Sequence, residues 1–179
     1  TCFALCFAGA AFGVDVGGVK LADRATVGGQ ELVLNGAGIR TKAIFKVYVG
    51  SLYVPGKAPD LAAVLAKGPR RIQMNLLRNL SADDLVNALV DGLKEANSEQ
   101  EAAAVKPQVD QMVTIMKAFG EVKEGNVVTL DFVDGATLIG FNGAAKGTIA
   151  GEPFNRALTK IWVGDKPVQA DLKKAMLGG

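Results

Sequence analysis

The sequence predicts an α+β fold in which an antiparallel β-sheet carries a layer of helices on one face. Strand-like and helix-like segments occur in separate runs, and Asp-Gly and Asn-Gly pairs join three consecutive extended segments. Runs of strands followed by runs of helices are typical of α+β domains, whereas parallel sheets need regular alternation. The chain has 179 residues, 49% of them hydrophobic, so we expect one domain with its own core.

The first half of the chain is predicted to hold strands and one short helix. Residues 30–54 are dominated by β-branched and aromatic residues with glycines between them, which is typical of extended chain. Asp60 is the expected N-cap of a helix over residues 60–67. Residues 70–79 are predicted to form a further strand.

Two helices are predicted next. Ser81 is the expected N-cap of the first, and its apolar stripe includes Leu85 and Leu89. The second carries apolar residues at helical spacing over residues 105–119. Pro107 marks either the first turn of this second helix or a break in it.

Residues 127–149 give the clearest hairpin signal, because extended segments are separated by Asp-Gly at 134–135 and Asn-Gly at 142–143. Both pairs suit type I′ turns, whose two central residues need positive φ. We therefore expect a three-stranded antiparallel meander. A helix with Pro153 near its start and a short helix over residues 171–177 complete the predicted fold.

The N-terminal segment differs from the rest of the sequence. Residues 1–13 carry no charge, and Ala-Gly-Ala at 8–10 resembles a signal-peptidase site, so we interpret 1–13 as the remnant of a secretory signal. The alternative is a buried N-terminal strand or helix. Under the first interpretation residues 14–179 form the mature domain, which is periplasmic or secreted and lacks Cys2 and Cys6.

Composition excludes several classes of function. The formal net charge is only +2, with no basic stripe, which disfavours nucleic-acid binding. The apolar N-terminal run is too short to span a bilayer, so we expect no stable membrane anchor. The sequence contains no histidine and two cysteines, which excludes histidine-dependent nucleophilic sites and the common zinc sites. We therefore expect no metal and no cofactor.

The segment over residues 35–54 holds the strongest candidate site. Gly36-Ala37-Gly38 lacks the third glycine of a dinucleotide-binding loop and leads into a strand, which disfavours a nucleotide site. Arg40 and Tyr48 lie in otherwise apolar or small surroundings. If the chain turns near residues 42–44, the two can be neighbours on antiparallel strands; if it runs straight, they lie about 26 Å apart.

Together, Arg40 and Tyr48 offer donors suited to a carboxylate: a planar guanidinium fork and a phenol. Such a pair at one end of an apolar cavity would hold a fatty acid by its head group. The alternative is structural, with an arginine in a salt bridge at a sheet edge and a tyrosine packed in the core.

At this segment the sequence resembles a known family. GAGIR followed by KVYVGSLYV is similar to strands of the chalcone isomerase superfamily, and most similar to its bacterial chalcone isomerase-like members. LSADDLVNALVDGL, NVVTLDFVDGATLIGFNG and FNRALTKIWVGDKPVQADLKKAML resemble the family's later helices and meander. The resemblance covers nearly all of residues 14–179. It implies a large antiparallel sheet with helices across one face and a ligand cleft between the two.

The resemblance also implies roles for particular residues. Arg40 matches the substrate-positioning arginine of the isomerases. Tyr48 falls where isomerases have a threonine and the family's fatty-acid binders have a tyrosine. The other catalytic positions of the isomerases fall on residues that do not supply the same groups: Ala82 or Asp83, Ala88 with Asn87 one position away, and Ile161.

Three functions follow as hypotheses. The first is a non-catalytic exported binding protein for a fatty acid or similar apolar carboxylate, held by Arg40 and Tyr48, with Asn87, Leu89 and Ile161 along the rest of the cleft. The second is a chalcone isomerase-type intramolecular lyase with an undetermined substrate, which works through Arg40. The third is a structural or partner-binding protein whose cleft is filled. An apolar cleft that ends at the Arg40–Tyr48 pair favours binding, and a further polar pair opposite favours catalysis.

Overall fold

A computed structural model describes residues 12–179 of the chain. This part contains eleven strands, in chain order: β1 (Phe12–Val16), β2 (Val19–Ala22), β3 (Arg24–Val27), β4 (Gln30–Lys42), β5 (Phe45–Val54), β6 (Arg70–Leu76), β7 (Leu80–Ser81), β8 (Glu121–Val122), β9 (Val127–Val133), β10 (Ala136–Phe141) and β11 (Ala144–Ala150). Its helices are α1 (Leu61–Val64), α2 (Ala82–Ala96), α3 (Glu99–Ala104), α4 (Lys106–Lys117), α5 (Glu152–Val163) and α6 (Ala170–Met176).

Seven strands form the main sheet, in the spatial order β11-β10-β9-β6-β5-β4-β3. Every neighbouring pair in it is antiparallel. Strands β1 and β2 form a separate hairpin, and the two-residue strands β7 and β8 pair with each other. The predicted α+β class with an antiparallel sheet is therefore confirmed.

The helices cover one face of the sheet, and the main core lies between the two layers. Strands β6 and β9 bury every second side chain toward the helices, as period-two alternation requires. The core contains Trp162, which is fully buried on α5, together with leucines of α2 and methionines of α4. On the opposite face of the sheet, a smaller apolar cluster connects the sheet to the β1–β2 hairpin. It includes Leu21 of β2 and Val49 and Tyr53 of β5.

The meander and most of the helices lie where the sequence places them. Asp134 and Gly135 have φ values of 48° and 72°, and Asn142 and Gly143 have 50° and 81°, so both turns use the left-handed conformations that the residue pairs favour. The side chain of Ser81 accepts a hydrogen bond from the N–H of Asp84, as expected for the N-cap of α2.

Some elements were not predicted. Strands β1–β3 are only four or five residues long and partly charged, so their periodicity is weak. Helix α3 begins at a reciprocal capping box between Ser98 and Glu101. This motif is visible in the sequence, but no helix was predicted there. Pro107 lies in the first turn of α4 rather than at a break. Of the predicted signal remnant, residues 1–11 lie outside the described residues.

The glycines of Gly36-Ala37-Gly38 have a packing role. A Cβ atom on Gly36 would lie 2.0 Å from the carbonyl oxygen of Ala175, and one on Gly38 would lie 2.8 Å from the Ala175 Cβ. Both glycines therefore allow α6 to pack directly on β4. This explains the glycines without a bound phosphate.

We predict that Gly36→Ala destabilises the protein by about 1–3 kcal/mol, because the added methyl group meets backbone that cannot rotate away. Gly56→Ala is the matched control, since nothing lies within 4 Å of a Cβ atom built there. Urea unfolding of both variants measures the difference. Equal stability of Gly36→Ala and Gly56→Ala would contradict the proposed packing role.

Candidate functional site

Arg40 and Tyr48 lie side by side at the end of the β4–β5 hairpin. The chain turns at residues 43–44, and the strand register pairs Arg40 directly with Tyr48. Directly opposed residues on antiparallel strands point to the same face, with Cβ atoms about 5 Å apart. Of the two arrangements left open by the sequence, the structure has the one in which the pair can act together.

The pair opens onto a cleft of about 230 Å³ between this hairpin and the helix layer. Helices α2 and α5 form the opposite wall, and Gly92 on α2 lies close to the Ile161 side chain. Leu89 and Ile161 are almost completely buried. The cleft is lined by Arg40, Lys42, Val47, Tyr48, Leu85, Ala88, Leu89, Asp91, Gly92, Glu95, Ile161 and Val168.

The hydroxyl group of Tyr48 is buried but keeps a free donor. Trp162 donates a hydrogen bond from Nε1 to the Tyr48 Oη over 2.9 Å, and within residues 12–179 no group accepts the phenol's own hydrogen. Burial raises the pKa of Tyr48 to about 12, although the Trp162 hydrogen bond and the positive charge of Arg40 act in the opposite direction. The phenol is therefore neutral at physiological pH and can donate to a ligand.

Arg40 is half-buried and carries a charge that no carboxylate of residues 12–179 neutralises within ion-pair distance. Its Nη1 donates to the carbonyl oxygen of Thr41 and, over 3.3 Å, to the Gln169 Oε1. These acceptors are neutral. By contrast, Arg71 on β6 forms a two-point ion pair with Asp131, at 2.6 and 2.7 Å. The salt-bridged arginine of the structural alternative therefore does not describe Arg40, whereas its core-packed tyrosine does describe Tyr48, which is 7% exposed and part of the main core.

Gln169, just before α6, holds the backbone on both sides of Arg40. Its Oε1 accepts from the Thr41 N–H over 2.8 Å, and its Nε2 donates to the Ile39 carbonyl oxygen over 3.0 Å. Gln169 was not predicted as a site residue, because it lies 129 residues from Arg40 and belongs to no recognisable motif.

Two acidic residues also line the cleft and were not predicted. Asp91 and Glu95 are exposed and lie on α2, opposite the hairpin. Asn87 does not line the cleft and is exposed. It is two residues from both Leu85 and Leu89, which places it about 160° around the helix from each of them.

A larger apolar groove of about 600 Å³ lies between α2, α3 and α4. Its walls include Val90, Leu93 and Val109, and its charged residues are at the solvent-exposed rim. The polar residues in its described lining, Lys94, Glu99, Lys106 and Asp110, are all exposed, whereas Tyr48 in the smaller cleft is buried. We therefore assign the candidate site to the smaller cleft, where a neutral donor and an unneutralised cation converge.

Comparison with known proteins agrees with this architecture. The sequence profile described as chalcone isomerase-like matches residues 13–178. The chain belongs to the chalcone isomerase-like family. A solved structure with the same fold is the crystal structure of a fatty-acid binding protein from Arabidopsis thaliana. It is 12% identical to this chalcone isomerase-like chain, with a TM-score of 0.72 over 89% of this chain and 92% of that one. No curated protein matches the sequence.

Two further findings concern the described residues alone. Within residues 12–179, no group of three or more histidine, cysteine, aspartate or glutamate residues is arranged to hold a metal ion. No helix in the same range has both the length and the apolar composition needed to cross a membrane.

We predict that the Tyr48 phenol ionises near pH 12 rather than near the ordinary value of 10. Because burial favours the neutral form, the stability that this phenol contributes is complete below pH 10 and is lost as the pH rises through 12. The phenolate absorbance of the wild type minus that of Tyr48→Phe isolates this residue, since Tyr53 is present in both proteins. A difference curve centred near pH 10 would contradict the burial of the phenol.

Proposed function

We propose that the protein is a non-catalytic binding protein for a small apolar carboxylate such as a fatty acid, with Arg40 and Tyr48 as ligands of the head group. The observation that carries the proposal is the unneutralised Arg40 charge beside a neutral, hydrogen-bonded phenol, at one side of a cleft whose buried residues on α2 and α5 are apolar. The fatty-acid binding protein of the same fold supports this choice of ligand class.

The arrangement suits a carboxylate better than a neutral head group. An ionised carboxylate in an apolar cleft is costly unless it is paired, and Arg40 supplies the opposite charge. The phenol of Tyr48 can donate a hydrogen bond to the ligand, because it only accepts in its contact with Trp162. The alkyl chain would lie along Leu85, Leu89 and Ile161. Asp91 and Glu95 are exposed, so solvent screens their repulsion of the ligand.

We predict that Arg40→Ala weakens fatty-acid binding by about 2–5 kcal/mol, because the ligand carboxylate then lacks its counter-charge. Tyr48→Phe should cost about 0.5–1.5 kcal/mol, since it removes one hydrogen bond and keeps the ring. Arg40→Lys should not restore full affinity, because an ammonium group cannot form the planar fork. Titration calorimetry with a long-chain fatty acid is the measurement.

Arg24→Ala is the matched control for this series. Arg24 is an exposed arginine on β3 that pairs with Glu31 and does not line the cleft. The Arg24→Ala variant should bind the fatty acid with wild-type affinity. Equal affinity of the wild type and Arg40→Ala would leave Arg40 without a role in ligand binding.

A second candidate function is an intramolecular lyase of chalcone isomerase type that works through Arg40. Asp91 and Glu95 favour it, because they place a further polar pair on the wall opposite Arg40. They are carboxylates, however, and a carboxylate cannot donate the hydrogen bond that polarises a ketone. Ile161, at a position where isomerases use a polar side chain, is 1% exposed in the core. We therefore rank this function below ligand binding.

We predict that the cyclisation of naringenin chalcone proceeds close to its background rate in the presence of the protein. General acid–base assistance is typically worth about 10²–10⁴-fold. Asp91 and Glu95 can only accept a proton when ionised, and the positions where isomerases carry their other polar groups fall here on Ala82 or Asp83, Ala88 and Ile161. Product formation with and without protein, resolved on a chiral column, tests this. Stereoselective turnover that disappears in Arg40→Ala would make the lyase the correct function.

We also propose that the protein acts in the periplasm or outside the cell, on the evidence of the composition of residues 1–13. The expected result is a mature N-terminus within about three residues of Ala10 or Gly13. N-terminal sequencing of the protein from its native cell is the measurement. A cytoplasmic protein that retains residues 1–13 would exclude export.

A further inference from the structure

The tip of the β4–β5 hairpin, residues 42–46, exposes two large apolar side chains next to each other. Ile44 is 87% exposed and Phe45 is 52% exposed. Among the described residues the only other large hydrophobic side chain with comparable exposure is Val14, at 43%, on β1. Isolated exposed apolar side chains are common, but two neighbours at the end of a projecting hairpin form a candidate contact surface.

The turn itself is unusual for this protein. The other four tight hairpin turns in residues 12–179 each contain glycine at positive φ, at 17–18, 28–29, 134–135 and 142–143. The hairpin tip has Ala43 at a φ of 53° and then Ile44. Alanine at positive φ is strained, and isoleucine is not a favoured turn residue. Local turn formation therefore does not explain the residues found here.

Positive charge surrounds the hairpin tip. Lys42 and Lys46 flank the turn, and the guanidinium of Arg78 lies 4.4 Å from the centre of the Phe45 ring. None of these three cations forms an ion pair within the described part of the chain. An apolar tip between unpaired cations matches a membrane surface, where apolar side chains enter the headgroup boundary and cations meet anionic lipid.

We propose that the hairpin tip docks reversibly on an anionic lipid surface, with Ile44 and Phe45 inserted among the headgroups and Lys42, Lys46 and Arg78 in contact with lipid phosphates. Two apolar side chains give weak attachment, so docking of this kind is not a stable anchor. This inference does not depend on the identity of the ligand in the cleft.

The position of the tip agrees with access of an apolar ligand to the cleft. Lys42 belongs to the hairpin tip and also lines the cleft that holds Arg40 and Tyr48. Docking would bring the mouth of the cleft to the lipid surface, where apolar carboxylates concentrate. Asp91 and Glu95 line the α2 side of the same cleft, so the anionic surface would approach from the hairpin side.

A second copy of the chain fits the tip less well than lipid does. Specific protein interfaces generally bury more than about 1,000 Å² in total, and two apolar side chains cannot supply this area. Two identical tips would also bring Lys42, Lys46 and Arg78 close to the same residues of the other copy. The charge pattern therefore favours an anionic partner.

The experiment is co-sedimentation with vesicles of equimolar phosphatidylglycerol and phosphatidylcholine, compared with vesicles of phosphatidylcholine alone. We expect binding to the anionic vesicles that weakens with salt. Ile44→Ser combined with Phe45→Ser should reduce the affinity about tenfold or more, and Lys46→Gln about fivefold. Val14→Ser and Lys146→Gln are the matched controls, because both residues are exposed and belong to other strands, β1 and β11.

Ile44→Ser alone decides the result if Phe45→Ser disturbs folding through its contact with Arg78. A loss of vesicle binding confined to the tip variants supports the proposal. No binding by the wild type, equal loss in Val14→Ser, or equal binding to neutral vesicles overturns it. Dimerisation in ultracentrifugation that Ile44→Ser abolishes also overturns it, in favour of a second copy. Fatty-acid titration without vesicles should be unchanged in Ile44→Ser, which separates this inference from the proposed binding function.

Discussion

The register of the β4–β5 hairpin is the constraint on which the site depends. Arg40 pairs with Tyr48, and a bulge at Val47 immediately follows, so that Thr41 pairs with Lys46. A shift of one residue would move the Arg40 side chain to the opposite face of the sheet, away from the helices and the cleft. The turn at Ala43 and Ile44 is a poor register signal by itself, so the register must be fixed by other contacts.

Two side-chain amides hold β4 in this register. Near the middle of the strand, buried Asn35 donates to the carbonyl oxygens of Ala58 and Met176 and accepts from the Ala58 N–H, all at 2.8 Å. Near its end, Gln169 bonds the backbone on both sides of Arg40. Met176 and Gln169 belong to or adjoin α6, and Gly36 lets this helix approach β4. The C-terminal helix thus positions Arg40, which lies far from it in sequence.

The arginines of the sheet show why Arg40 is distinct. Arg71 is paired with Asp131. Arg70 is 4% exposed, and its guanidinium donates hydrogen bonds to Thr159 and Asn155 of α5. The same guanidinium lies 4.5 Å from the centre of the Phe132 ring on β9. Its donors therefore have partners within the protein. Burial lowers the pKa of Arg70 to about 10, although the nearby Glu152 opposes this effect. Arg40 has neither a carboxylate partner nor full burial, and it faces a cleft.

The sequence predicted those features that local chemistry specifies. Asp-Gly and Asn-Gly turns and strict alternation over residues 127–133 are local signals, and the structure contains both. The turn at Ala43 was left open because neither of its residues is a turn former. Asn87 was proposed because it lies one residue from Ala88, near which the isomerases have an asparagine. One residue corresponds to 100° around a helix, and Ala88 lines the cleft whereas Asn87 does not. Gln169 and the Trp162 contact to Tyr48 depend on tertiary packing across more than 110 residues, which local patterns do not encode.

Arg40 is proposed to provide the counter-charge for a ligand carboxylate. The most direct measurement compares a fatty acid with the fatty alcohol of the same chain length, in the wild type and in Arg40→Ala. The wild type should prefer the acid by about tenfold or more, and Arg40→Ala should lose this preference while it retains affinity for the alcohol. Equal affinity of the wild type for acid and alcohol, or a preference that persists in Arg40→Ala, would contradict the account.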